Sequence, residues 1–101
     1  MTYIATYAEG YEAPSGQVFG SLESENGCLV FRSREKNRTF LALLPPGSAM
    51  TASGKVLLAN GKKGVVTIGT PTMFNGGQGF NAKIHLNRCG GDQMILDGTA
   101  N

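Results

Sequence analysis

Tryptophan is absent from this chain, histidine occurs once, and only 16% of the residues are charged. A lone histidine, His85, confines imidazole chemistry to one position, and no serine lies in a nucleophile-elbow sequence that would partner it in a triad with Asp92 or Asp97. An enzyme is therefore not expected. Long apolar runs are also missing. The stretch Phe40 to Leu44 falls far short of the roughly 20 residues that a bilayer-spanning helix needs. The first ten residues lack the basic start and apolar core of a secretory signal, so a cytoplasmic location and no membrane partner are expected.

Cysteine is scarce as well, with Cys28 and Cys89 far apart in the chain. Structural zinc sites draw on two close pairs of ligands, and Cys28, His85 and Cys89 do not supply them, so neither a metal nor a cofactor is expected. In a cytoplasmic chain the two thiols are read as reduced and buried. The alternative, a bridge between them, would close a loop worth roughly 4 kcal/mol in the chain-entropy account.

What the sequence does contain is glycine and alternation. Fifteen glycines and four prolines in 101 residues imply many tight turns, and 41% hydrophobic residues are enough for one folded core. A single domain over residues 1–101 follows, with an ordered core over 2–97 and a frayed end at 98–101. Apolar residues recur mostly at every second position, as a strand with one buried face requires. Val18, Gly20 and Leu22 face one way, and Phe80, Ala82, Ile84 and Leu86 alternate with polar neighbours. Phe40 to Leu44 does not alternate and is expected to be covered on both faces. Asn26-Gly27 and Asn60-Gly61 are hairpin signals, because both residue types accept the positive φ of a tight turn. Pro45-Pro46-Gly47 ends a strand. Residues 48–53 fit a loop or a helical turn, and residues 70–79, rich in glycine, read as the longest loop. The fold class is all-β: a small antiparallel β-barrel or β-sandwich of seven to eight short strands.

The succession Gly20-Ser21-Leu22, Asn26-Gly27-Cys28-Leu29, Leu44-Pro45-Pro46-Gly47 and Asn75-Gly76-Gly77 resembles a pattern in small bacterial β-barrel proteins of no assigned activity, over about residues 18–80. That resemblance implies a barrel and no particular chemistry. Its members carry an aromatic residue before Pro-Pro-Gly, where this chain has Leu44.

Charge is unevenly distributed. Residues 1–31 hold four glutamates and no Lys or Arg, whereas residues 32–88 hold all nine basic residues against Glu35 alone. Arg32, Arg34, Lys36 and Arg38 recur at every second position, so an uninterrupted strand would present them as one stripe. With Lys62 and Lys63, and with Phe31 and Phe40 as stacking rings, that stripe would suit single-stranded nucleic acid on an oligonucleotide-binding-like barrel. The plainer reading is a solvated connector. Asn75 to Gly79 lacks the Lys-Ser/Thr pair of a phosphate loop, so nucleotide binding is not expected. Phe74, Asn75 and Gln78 are candidate contacts from the 70–79 loop. Tyr3, Tyr7 and Tyr11 suit either an interface or ordinary packing, with packing expected. The function expected is a non-catalytic binding or interaction module that uses loops 45–53 and 70–79, with a protein partner or a second copy as ligand. Weak nucleic-acid binding is the alternative.

Overall fold

A computed structural model describes residues 2–59, 64–79, 89 and 91–100. It is all-β, with β1 (Ala5–Thr6), β2 (Gln17–Glu25), β3 (Cys28–Ser33), β4 (Arg38–Leu44), β5 (Ala49–Met50), β6 (Lys55–Leu58), β7 (Gly64–Thr67), β8 (Thr72–Gly79) and β9 (Gln93–Thr99).

The order β4-β3-β2-β8-β9, together with a further β4–β9 pairing, closes five strands into a barrel. All its joints are antiparallel except β4–β9, which is parallel through Leu41↔Gln93 to Leu43↔Ile95. Three strands consecutive in sequence, β2, β3 and β4, have β8 returning beside the first of them, which is a Greek key. The small-barrel expectation thus holds, with a parallel seam added to the antiparallel pairing.

Local chemistry explains the elements. Asn26 and Gly27 have φ of 53° and 80°, and the hairpin closes at Glu25↔Cys28, the tight turn that this pair favours. In the next connection Asn37 has φ of 52°, and the Ser33 hydroxyl accepts the Lys36 amide at 3.0 Å. Val18, Gly20 and Leu22 of β2 do share the inner face. Through the register Leu22↔Phe31↔Phe40 and Ala42↔Met94, the inner residues of β3, β4 and β9 join them. Leu22, Leu29, Phe31, Phe40, Ala42, Leu44, Phe74, Met94 and Leu96 form one buried cluster, with Phe31 and Phe74 edge to face at 5.7 Å between centroids.

The segment 70–79 is not a loop. It is mostly β8, and its glycines serve close approach: a Cβ at Gly76, where the register shifts, would fall on the Ile95 carbonyl. Nor do residues 98–100 fray. Gly98 and Thr99 pair with Asn75 and Phe74, and the Ala100 amide donates to the Met73 carbonyl at 2.9 Å. The expected strand at Phe80 to Leu86 lies outside the described residues, as does the Asn60-Gly61 turn.

A second sheet, β5-β6-β7, contributes Val56, Leu58 and Val66 to the inner cluster, while Leu57 and Val65 face outward as a cross-strand pair. Residues 48–53 therefore include a short strand, not a helical turn. The outer face of β4 is covered too, as its unbroken apolar sequence requires. Leu41, Leu43 and Ile95 are buried under Ala5, Tyr7 and Cys89, with Tyr3, Tyr11, Ala13 and Cys28 against them.

Candidate functional site

The basic residues do not form a stripe. β3 and β4 are antiparallel with Ser33↔Arg38 and Arg32↔Thr39 opposed, and the chain turns at residues 34–37. Residues opposed in this way share a face and successive residues alternate, so Arg32 and Arg38 project from opposite faces of the hairpin. Each also has an acidic neighbour. Arg32 lies 3.7 Å from Glu25, and Arg38 pairs with Asp92 while its guanidinium sits 4.5 Å from the centre of the Phe40 ring. Arg34 and Lys36 are exposed on the connection, and Lys62 and Lys63 lie outside the described residues.

The proposed stacking rings are inside the molecule. Phe31 and Phe40 are at most 1% exposed, so neither offers a face to a base, and Phe74, expected as a loop contact, is fully buried in β8. Asn75 and Gln78 lie within β8, not on a loop, and the Asn75 amide donates to the Thr99 carbonyl at 3.3 Å. His85 is outside the described residues. Among the described residues no group of three or more His, Cys, Asp or Glu side chains is placed to hold a metal, and no helix is long and apolar enough to cross a membrane.

The two cysteines are joined, with Cα atoms 6.3 Å apart, against the expectation of reduced thiols. Cys28 starts β3 directly after the Asn26-Gly27 turn, and Cys89 belongs to the connection between β8 and β9. Folding brings the two together because the parallel β4–β9 seam and the N-terminal segment bury Cys89 in the outer cluster against which half-buried Cys28 packs. No short-range spacing announces such a contact.

A groove opens beside this bridge. Its volume is about 1000 Å³, and it is lined by Thr2, Tyr3, Ile4, Asn26, Gly27, Cys28, Met50, Thr51 and Ala52. Three elements position these residues. The N-terminal segment is held by backbone bonds from the Tyr3 amide to the Gly27 carbonyl at 2.7 Å, and from the Leu29 amide to the Tyr3 carbonyl at 2.9 Å. A hydroxyl pair, Thr2 Oγ1 and Ser24 Oγ, adds a contact at 2.7 Å. The third wall is the 50–52 stretch, fixed where the Thr51 amide donates to the Lys55 carbonyl at 2.7 Å. Among the described residues no charged side chain lines the groove, and its surface combines Tyr3, Ile4 and Met50 with the polar groups of Thr2, Asn26 and Thr51. Such a lining can desolvate an apolar ligand and orient it with a few hydrogen bonds.

Of these residues the sequence signalled the 45–53 segment as a partner-facing loop, Asn26-Gly27 as a turn, Tyr3 as an interface or packing residue and Cys28 as a thiol or half of a bridge. Nothing local marks Thr2 and Ile4, and their meeting with Met50 depends on tertiary contacts. No family model, curated protein or solved structure matches the chain.

Proposed function

We propose that the chain is a non-catalytic binding domain that holds a neutral, largely apolar ligand in the groove between residues 2–4, 26–28 and 50–52. The observation that carries this reading is the groove itself: it has the size and mixed character of ligand sites, with no charged side chain among the described residues that line it. Its position gives further support. The oligonucleotide-binding fold, a five-stranded Greek-key barrel, holds its oligonucleotide and oligosaccharide ligands at the face of its second and third strands and at the loops joining strands one to two and four to five. In this barrel those loops are the Asn26-Gly27 turn and the β8–β9 connection, and the Cys28–Cys89 bridge ties the end of one to the other. The bridge also favours an oxidising compartment over the cytoplasm, since reducing compartments keep thiols free.

The neutral probe N-phenylnaphthylamine, which brightens when taken out of water, tests the site. The expected result is saturable binding that weakens at least about ten-fold on Met50→Lys, given the apolar area that Met50 contributes. Equal binding to Met50→Lys and wild type would refute the groove as the site.

Binding of single-stranded nucleic acid has one observation in its favour, the barrel topology, with Arg34 and Lys36 as the exposed cations. A labelled oligonucleotide that binds at low salt and is lost on Arg34→Ala with Lys36→Ala would support it. Absence of binding at low salt would end it.

A further inference from the structure

The disulfide and the groove share a residue. Cys28 is one half of the bridge and also lines the groove. The N-terminal wall is registered on the same residue: the Tyr3 amide donates to the carbonyl of Gly27, just before Cys28, and the Tyr3 carbonyl accepts the amide of Leu29, just after it. Two of the three walls, residues 2–4 and 26–28, therefore meet at Cys28. The other half of the bridge has different surroundings. Cys89 is 8% exposed and belongs to the outer cluster with Ala5, Tyr7, Leu41, Leu43 and Ile95.

Opening the bridge acts unequally on these two residues. Sulfurs that share a bond must separate to non-bonded contact once each carries a hydrogen, and a close-packed interior resists the added volume. Cys89 has apolar side chains around it, whereas half-buried Cys28 has the groove beside it, so the displacement goes into the groove wall and disturbs the seating of Tyr3. The same difference sets the course of reduction. A thiolate of a dithiol reductant, entering through the groove, attacks Cys28 Sγ; the S–S bond breaks with its electron pair leaving on Cys89, which takes a proton. The second thiolate of the reductant then attacks the mixed disulfide, frees Cys28 as a thiol and leaves the reductant as its own disulfide. The protein gains two electrons and two protons, and the dithiol loses them.

We infer that the groove is redox-gated: the bridged chain holds the ligand, reduction releases it, and a bound ligand shields the bridge. This rests on the groove being the ligand site. At equilibrium the two effects are reciprocal, so the factor by which reduction weakens the ligand is the factor by which the ligand opposes reduction. Oxidation of the newly made chain thus switches the site on.

The test titrates N-phenylnaphthylamine into the oxidised chain and into the chain reduced by dithiothreitol, and follows the rate of reduction with and without saturating probe. Reduction should weaken the probe at least about five-fold, and the probe should slow reduction by a similar factor, the lower end of ordinary coupling between sites. In Met50→Lys, which weakens the probe without touching the bridge, the probe should leave the reduction rate unchanged. Where the reduced chain loses its fold by far-ultraviolet dichroism, the oxidised chain still decides: the mixed disulfide formed with glutathione, quenched in acid and located by mass, should sit on Cys28. Equal affinity for the oxidised and reduced chains, a reduction rate that the probe does not alter, or glutathione captured on Cys89 would overturn the inference and leave the groove standing as a ligand site. An oxidised chain that does not bind the probe at all would remove the groove reading, and this inference with it.

Discussion

The molecule has two buried clusters of different make. The inner one is enclosed by the five barrel strands and capped by β6 and β7, so each side chain in it is held by several independent elements. The outer one lies on the far side of β4 and depends on one short segment, residues 3–13, whose only strand is the two-residue β1. Barrel closure secures the first; a parallel two-residue pairing with Leu43 and Leu44, a few backbone bonds and one disulfide secure the second. The groove at residues 2–4, 26–28 and 50–52 straddles the two, since Tyr3 and Cys28 pack on the outer cluster and Ile4 and Met50 on the inner one. The comparison teaches that the barrel serves as a platform, and that one wall of the ligand-sized space comes from the segment laid upon it.

Breaking the inner cluster should have the largest effect. Phe74→Ala removes a fully buried ring and the edge-to-face partner of Phe31, and is expected to cost about 3–5 kcal/mol in chemical denaturation. An effect below about 1 kcal/mol would mean that this ring is not in a closed core. Next comes the clasp of the outer cluster. Replacing both cysteines by serine should cost about 2–4 kcal/mol, and a titration of the unfolded wild type should find no free thiol among Cys28 and Cys89 until a reductant is added. The smallest effect should come from Tyr7→Phe, which deletes the hydroxyl bond to Asp97 and leaves the ring in place; about 1 kcal/mol is expected, with the Phe74 region unaffected by near-ultraviolet dichroism.

The pattern of these two clusters was partly legible in the chain. Alternation identified the inner face of β2, and the absence of alternation from Phe40 to Leu44 marked β4 as the strand covered twice. Asn26-Gly27 announced its hairpin because the turn chemistry is local. The segment 70–79 misled because glycine marks turns and also marks places where backbones meet. At Gly76 and Gly79 the added Cβ would strike Ile95, so these glycines allow β8 to close on β9. The basic stripe misled for a related reason: spacing by two aligns side chains only while the strand continues, and the connection at 34–37 sends Arg32 and Arg38 to opposite faces. The disulfide was open only as the alternative to reduced thiols, and the groove had no signal, since each joins residues that only the closed barrel brings together.

The claim on which the rest turns is that residues 3–7 are docked on the barrel and clasped there by the Cys28–Cys89 bridge. Amide hydrogen exchange tests it residue by residue. In the oxidised protein the Tyr3, Tyr7 and Leu29 amides, bonded to Gly27, Leu44 and Tyr3, should be protected, and reduction should speed Tyr3 and Tyr7 well before the amides of β2 and β4. Tyr3 and Tyr7 amides that exchange at open-chain rates in the oxidised protein would contradict the account.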